Sequence, residues 1–315
     1  MKRRDDRGLR LLTGSFALAL VAIVTAIGVL LWRESQLSIE KFGWGFWTSD
    51  TWDPVLGEFG ALPFIWGTLY SSILALAIST PIALGVAIFI SELSPAWLQR
   101  PLAFLTELLA AIPSIVYGLW GIFVLVPLVR AMERAVPAWL TGFPLFEGPP
   151  LGVGMLAAGL VLAIMVIPFS SSVAREVLRA VPRAQREAAY ALGATRWEAI
   201  RAALFYGRTG IIGAVMLGFG RALGETMAVT MVIGNNPQVS WSLFAPQYTM
   251  AAVIANEFTE ATEELYLHAL VEIGLVLFAI TLIVNVLSRS LIWVAAREGR
   301  RVAPRTAAAA AVQGT

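Results

Sequence analysis

Long apolar stretches without charge alternate with short charged segments along the chain. About 20 apolar residues suffice to cross a bilayer as a helix. Six stretches reach that length and predict six spans, at residues 11–32, 64–91, 102–129, 153–173, 209–234 and 265–292. The pattern therefore predicts an all-α, polytopic membrane helix bundle with six transmembrane helices.

Composition supports this prediction and excludes several classes of site. Hydrophobic residues make up 58% of the chain and charged residues 14%, whereas a soluble domain carries about a quarter charged residues. The absence of cysteine excludes disulfides, zinc–thiolate sites and thiol catalysis. His268 is the sole histidine, so we expect no metal site and take it as an interfacial residue.

The distribution of basic residues predicts the orientation. With the N-terminus inside, eighteen lysines and arginines fall on the cytoplasmic side and four outside: Arg33, Lys41, Arg130 and Arg134. Loops rich in Lys and Arg stay in the cytoplasm, so both termini are expected there. The apolar core of the first span is longer than that of a secretory signal, and we expect an uncleaved helix.

Three regions follow from these spans. Residues 1–63 hold the cytoplasmic N-terminal end, the first span and an external segment, residues 64–292 form the main membrane domain, and residues 293–315 are expected to be a disordered cytoplasmic tail. Aromatic residues of the first external segment suit the membrane boundary: Trp44, Phe46, Trp47 and Trp52. Another external segment, 235–264, ends in acidic residues: Glu257, Glu260, Glu263 and Glu264. It is either a surface for a soluble partner or a solvated loop.

A short basic segment between the fourth and fifth spans predicts two helices joined at a glycine. Pro182 suits a first helical turn, and Gly193 can adopt the left-handed conformation that ends a helix. Thr195 and Glu198 have the spacing of a capping box for the second helix. That helix is expected to project one side of apolar residues: Trp197, Ile200, Leu204 and Phe205. It inserts into a partner's groove, or it lies among the lipid headgroups.

Two charged residues interrupt the fifth predicted span. Arg221 lies about 18 Å along that helix, near mid-membrane, and Glu225 follows four residues later on the same predicted face. Gly220 and Gly224 predict a close approach by another helix. The pair is either a structural ion pair or part of a transport pathway, since an arginine fork matches an oxyanion.

Three motifs together look like the PstC-type permease subunit of the bacterial phosphate-specific ABC transporter. They are EAAYALGATRWEAI from Glu187, RALGETMAVTMVIGN from Arg221, and IPSIVYGLWGIFVLVP from Ile112. The resemblance covers about residues 64–292 and implies the ABC type I importer permease fold, in the bacterial inner membrane. The chain departs from the family pattern at Phe205, where members usually have a proline shortly after the second helix of the motif.

The resemblance also implies roles and partners. Residues 174–208 correspond to the cytoplasmic EAA loop, in which coupling to the ATPase falls on Glu187, Ala188, Ala189, Gly193, Thr195 and Ile200. The translocation pathway falls on Arg221 and Glu225. The implied partners are a PstA-type permease, a PstB-type ATPase dimer and a periplasmic phosphate-binding protein. We expect membrane lipid around the spans, no nucleic acid, and no cofactor.

The chain itself is not expected to be an enzyme. Its only lysines are Lys2 and Lys41, and neither follows a glycine as the phosphate-binding loop of an ATPase requires. The alternatives left open are a permease for another oxyanion, such as molybdate or sulfate, and an ion-coupled secondary transporter. A membrane enzyme fits worse, because the usual catalytic motifs are missing.

Overall fold

The computed structural model describes residues 2–137, 139 and 142–302. The first half of the chain forms helices α1 (Lys2–Glu34), α2 (Gln36–Phe42), α3 (Gly45–Thr48), α4 (Leu62–Ile88), α5 (Ala96–Ala110), α6 (Ser114–Trp120) and α7 (Val126–Arg134). The second half forms α8 (Met155–Ala180), α9 (Arg183–Ala191), α10 (Arg196–Tyr206), α11 (Arg208–Leu223), α12 (Met227–Val232), α13 (Met250–Glu257) and α14 (Glu264–Val302). Two π-helical turns, Phe89–Leu93 and Gly121–Leu125, and an antiparallel pair of strands, β1 (Trp52–Asp53) and β2 (Glu58–Phe59), complete it.

Five helical stretches in the described residues are long and apolar enough to cross a membrane. They are Gly8–Glu34, Leu62–Leu93, Ser114–Arg134, Met155–Ala180 and Glu264–Ala295. A sixth candidate arises only if α10 and α11, which are bent by 70°, count as one span. The helical bundle is confirmed, and four of the predicted spans are continuous helices.

The third predicted span, 102–129, is wrong as a single helix. α5 ends at Ala110 and α6 begins at Ser114, because Pro113 lacks the amide hydrogen that would continue the helix. The Tyr117 hydroxyl bridges the break by donating a hydrogen bond of 2.9 Å to the Leu109 carbonyl. The spanning stretch therefore starts at Ser114 and continues to Arg134.

The fifth predicted span, 209–234, is also divided. α11 ends at Leu223, and α12 starts at Met227 after a break of three residues. Gly224 is the residue that follows α11, and glycine is the standard residue at a helix end since it has the least steric constraint. No proline marks this break.

Helix α8 forms the centre of the bundle. In its most apolar window 61% of residues are buried, against none in the corresponding window of α1. Small residues allow the neighbouring helices to approach it: an added Cβ on Gly218 of α11 would lie 2.4 Å from Ser170 Oγ of α8. Gly159 of α8 is packed as tightly against Leu74 of α4.

The first segment expected to be external, residues 33–63, is folded onto one end of the bundle. Phe46 is fully buried, and the Trp52 ring lies 4.8 Å from the ring centroids of both Phe59 and Phe64. The Trp52 indole donates a hydrogen bond of 2.9 Å to Glu257 Oε2 at the end of α13. The prediction of a membrane-boundary anchor is therefore wrong for Phe46, which is a core residue, and Trp52 packs, partly buried, against the same core. Trp44, in contrast, is 86% exposed.

The boundary of the predicted tail needs correction. α14 continues to Val302, so the first ten residues of the tail expected at 293–315 are helical. The remaining part of that prediction, 303–315, lies outside the described residues.

Candidate functional site

Residues 183–206 form the predicted pair of helices, α9 and α10. Gly193 has a φ of +83°, which confirms the left-handed turn after α9. The Ala194 amide donates to the Ala189 carbonyl at 3.1 Å, and the Gly193 amide donates to the Tyr190 carbonyl at 2.9 Å. This hydrogen-bond pair is the Schellman motif that closes a helix C-terminus. The turn fixes the angle at which α10 leaves α9.

The capping box at the start of α10 is confirmed. The Thr195 amide donates a hydrogen bond of 2.7 Å to Glu198 Oε2, and the Glu198 amide donates to the Thr195 hydroxyl at 3.4 Å. The backbone hydrogen bond from Thr195, followed by the bond from its hydroxyl, lowers the pKa of the Glu198 carboxyl below its ordinary value of 4.5.

Most of the candidate coupling residues lie on the surface. Glu187, Ala188, Gly193 and Thr195 are exposed, and Ala189 is half-buried. Leu192 between them is 89% exposed, which is unusual for an apolar side chain in a turn. Trp197 is 61% exposed on the following helix. We name these residues the coupling surface after their predicted role. They combine apolar and acidic side chains on one protrusion.

Ile200 does not belong to the coupling surface. It is 3% exposed, and its neighbours Ala199 and Ala203 are also buried. These three residues share the side of α10 that faces the bundle, since residues three or four apart lie on one helix face. The prediction that Trp197 and Ile200 project together from α10 is therefore wrong, because Trp197 lies at the exposed edge of the apolar side whereas Ile200 packs against the bundle.

A charged contact missed by the sequence analysis ties the coupling surface to α4. Arg186 Nη2 donates to Glu92 Oε1 at 2.5 Å and Arg186 Nε donates to Glu92 Oε2 at 3.1 Å, which makes a bidentate pair. Arg196 Nη2 donates to the Glu92 carbonyl oxygen at 2.6 Å. Glu92 lies in the π-helical turn that follows α4. Glu92 thus accepts hydrogen bonds from an arginine of α9 through its carboxylate and from an arginine of α10 through its backbone carbonyl.

Arg186 also binds the end of α8. Arg186 Nη2 donates to the Leu178 carbonyl at 2.8 Å, and Arg186 Nη1 donates to the Val181 carbonyl at 2.9 Å. Leu178 lies in the last turn of α8 and Val181 directly follows that helix, where carbonyl groups lack the amide partners of a continuing helix. Arg186 therefore ties α9 to both α4 and α8.

Arg221 and Glu225 lie on either side of the break between α11 and α12. Arg221 belongs to the last turn of α11 and is exposed, whereas Glu225 lies beyond the helix end and is half-buried. Among the described residues, the two form no ion pair within 4.0 Å. The expectation that they share a helical face is wrong, because α11 has ended before Glu225.

Each of the two residues has its own local contact. Glu225 Oε1 accepts a hydrogen bond of 3.3 Å from the Ala228 amide in the first turn of α12. A carboxylate there is favoured by the partial positive charge of a helix N-terminus. The Arg221 guanidinium lies 5.8 Å from the centroid of the Phe169 ring of α8. The guanidinium fork remains exposed beside the break.

The two broken helices pack against each other. An added Cβ on Gly118 of α6 would lie 3.0 Å from Ala228 Cα and 2.7 Å from Met231 Sδ of α12. The motif that begins at Ile112 and the motif that begins at Arg221 therefore meet at one place, each next to a helix break.

The predicted close approach at Gly220 and Gly224 is not made within this chain. An added Cβ on Gly220 would meet nothing within 4 Å. An added Cβ on Gly224 would meet only the Gly220 carbonyl oxygen, at 3.9 Å. Together with exposed Arg221, these glycines form an open face beside the break. No group of three or more potential metal ligands occurs in the part of the chain that the structure describes.

Comparison with known proteins identifies the family. The family model described as "Binding-protein-dependent transport system inner membrane component" matches residues 79–303. The chain is 49% identical over 288 residues to the phosphate transport system permease protein PstC of Haemophilus influenzae, with 89% of this chain and 90% of the relative covered. It is 45% identical over 283 residues to the phosphate transport system permease protein PstC of Mesorhizobium japonicum, with 88% of this chain and 86% of the relative covered. This chain belongs to the PstC family.

Solved structures agree with this PstC-family assignment at the level of the fold. An inward-facing form of the MetNI methionine ABC transporter matches with a TM-score of 0.57 and 15% identity, over 78% of this chain and 99% of that one. A second crystal form of the same transporter matches with a TM-score of 0.54 and 17% identity, over 73% of this chain and 94% of that one. The PstC-family chain thus has the ABC type I importer permease fold, and it is a multi-span inner-membrane permease.

Proposed function

We propose that this chain is the permease subunit of an ATP-driven importer of inorganic phosphate, without enzymatic activity of its own. The observation that carries the proposal is identity of 45% and 49%, over most of the chain, to proteins named phosphate transport system permeases. Arg221 supports it, because an exposed guanidinium fork at a membrane-helix break matches the oxygens of an oxyanion.

The open face beside the break is the proposed half of the translocation pathway. Gly220 and Gly224 leave room there for a helix of a second, PstA-type permease. Arg221 would then face the gap between the two subunits and receive phosphate as it passes. Glu225 would accept a hydrogen bond from a protonated phosphate oxygen, which fully ionised sulfate cannot donate.

The coupling surface is the proposed dock for a PstB-type ATPase dimer. Leu192 and Trp197 supply exposed apolar side chains suited to a groove on that partner. Glu187, Ala188, Ala189, Gly193 and Thr195 shape the protrusion, and Ile200 anchors it from inside the bundle. Arg186 and Glu92 would pass its displacement on to α4.

The proposed orientation has both termini in the cytoplasm, with residues 174–208 as the EAA loop. The external ends would meet a periplasmic phosphate-binding protein. In this proposal the chain consists of an N-terminal region, residues 1–63, and a permease domain, residues 64–292.

Uptake of radiolabelled phosphate and sulfate tests the proposal in a strain that lacks the endogenous permease and carries this chain with its partner genes. Phosphate uptake that depends on the chain is expected, with little sulfate uptake. Arg100→Gln is a suitable control, because Arg100 is exposed and outside both proposed surfaces. Sulfate or molybdate uptake without phosphate uptake would favour the other oxyanions.

A further inference from the structure

A small cavity with an unpaired carboxyl group lies where α1, α2 and α14 meet. Its volume is about 220 Å³, and it is lined by Trp32, Ile39, Gly43, Trp44, Trp47, Glu272 and Leu275. A cavity of about 150 Å³ already accommodates a benzene ring, so this one has room for a small polar group. It is remote in sequence from the coupling surface and from the helix break.

Glu272 is the unusual member of the lining. The residue is 2% exposed, and its Oε2 has no hydrogen-bond partner among the described residues. No lysine, arginine or histidine in the described part of the chain forms an ion pair with it. A buried carboxyl is costly unless it is hydrogen-bonded, and the Ser38 hydroxyl beside it offers a single donor. Glu272 therefore has room for a further hydrogen-bond donor from outside the chain.

The other lining residues specify the chemistry of that donor. Three indole rings surround the cavity, and the faces of tryptophan attract cations. Ser38 Oγ lies beside the Glu272 carboxyl and is buried without a hydrogen bond of standard geometry, so its lone pairs can accept one. A carboxyl, a hydroxyl and three indoles together fit a cation that carries N–H groups.

The position in the membrane indicates where such a cation comes from. Glu272 lies eight residues after Glu264, the first residue of α14, or about 12 Å along the helix. Trp44 is 86% exposed and Trp32 54% exposed, as in the tryptophan belts at the headgroup level of a bilayer. The cavity is therefore within reach of lipid headgroups.

We infer that this cavity binds the primary ammonium group of a phospholipid, for which phosphatidylethanolamine is the natural probe. The ammonium donates to Glu272 Oε2 and to Ser38 Oγ, and the indoles enclose its charge. Phosphatidylcholine carries the same charge without an N–H donor, and phosphatidylglycerol has no cation. The site should therefore prefer phosphatidylethanolamine to both.

Native mass spectrometry of the full-length chain, purified from membranes and titrated with each lipid, tests the inference. The wild type should retain phosphatidylethanolamine, and Glu272→Gln should weaken its binding about tenfold or more because a charge-assisted hydrogen bond is lost. Glu263→Gln is the matched control, since it removes an exposed carboxyl just before α14 and should leave binding unchanged.

Two further results keep the inference testable if Glu272→Gln folds poorly. Trp44→Leu, at an exposed position, should weaken phosphatidylethanolamine binding severalfold, whereas Trp44→Phe should retain most of it. Equal binding of phosphatidylglycerol or phosphatidylcholine by the wild type would overturn the inference. So would undiminished phosphatidylethanolamine binding by a folded Glu272→Gln variant, or by both Trp44 variants.

Discussion

Arg186 and Glu92 form a bidentate pair that joins the coupling surface to the π-helical turn after α4, across 94 residues of sequence. The side chains are 20% and 12% exposed, so the pair is partly protected from water. Charge-assisted hydrogen bonds of this kind contribute about 1.5–3 kcal/mol each. The contact is therefore strong enough to carry force between the two elements.

The first prediction concerns this pair. Glu92→Gln removes its charge and should lower phosphate uptake about tenfold, while the partner ATPase still hydrolyses ATP, because displacement of α9 no longer reaches α4. Uptake and ATP hydrolysis are measured together in proteoliposomes containing the assembled transporter. Arg100→Gln serves as the control for loss of a cytoplasmic charge, and wild-type uptake by Glu92→Gln would remove the pair from the coupling route.

Gly193 gives a prediction in which backbone conformation alone is tested. Its φ of +83° disfavours other residues, although an added Cβ would meet nothing within 4 Å. Gly193→Val should therefore abolish uptake without loss of protein from the membrane, since a β-branched residue strains the turn by roughly 1–2 kcal/mol or more. Gly193→Asn is the matched control and should retain much of the uptake, because asparagine tolerates this conformation. Equal activity of the two variants would argue against a need for the turn.

Arg221 and Glu225 give a prediction that separates a pathway from a scaffold. Because Arg221 is exposed and not paired with Glu225, Arg221→Gln should assemble normally and lose phosphate uptake. Glu225→Gln keeps an oxygen that can accept from the Ala228 amide, so the start of α12 should survive. The double variant should therefore assemble, stimulate ATP hydrolysis and remain inactive in uptake. Recovery of uptake in the double variant would show that transport needs neither charge and would overturn the pathway role.

The acidic end of segment 235–264 gives a prediction about docking of a soluble partner. Glu257 accepts hydrogen bonds from Trp52 Nε1 at 2.9 Å and from the Tyr266 hydroxyl at 2.6 Å, so its reversal would damage the fold. Glu260 and Glu263 are exposed. Reversing both to lysine should weaken docking of the phosphate-binding protein more at low salt than at high salt. Unchanged binding at both salt concentrations would leave the segment a solvated loop.

Glu198 predicts a pH dependence of the first turn of α10. Its pKa is lowered in the folded state, so its contribution to stability is present above the ordinary value of 4.5 and is lost as the pH falls through the lower folded value. The Thr195 amide donates to the Glu198 carboxylate, so its protection from hydrogen exchange, corrected for the intrinsic rate, should fall on acidification below that value. Glu198→Gln should show less protection at neutral pH and little further change. A parallel decline in both proteins would contradict the capping role.

Local backbone features were predictable from sequence, and contacts between distant residues were not. Gly193, Thr195 and Glu198 act within a few residues of one another, so their spacing specifies the turn and the cap. The break after Leu223 has no proline, and the apolar pattern runs through it unchanged. Hydropathy reports whether a segment can enter the membrane, but not whether its helix is continuous.

The misassigned side chains have a similar explanation. Ile200 and Trp197 belong to one apolar pattern, and only packing on the bundle decides that Ile200 is buried and Trp197 exposed. Glu92 closes an apolar stretch and has no basic neighbour in sequence. Its partner Arg186 could be found only once α4 and α9 were placed side by side.

The hydrogen bond between Trp52 and Glu257 has a consequence for biosynthesis. The two residues are separated by 205 positions, so Trp52 leaves the ribosome well before its acceptor exists. At roughly 5–20 residues per second, the delay is about 10–40 s. During that interval the first external segment lacks α13 and α14, against which its aromatic residues pack. In a chain that stops before Glu257, the aromatic residues of this segment would never be covered by α13 and α14. Such a chain should be recognised as unfolded by cellular quality control.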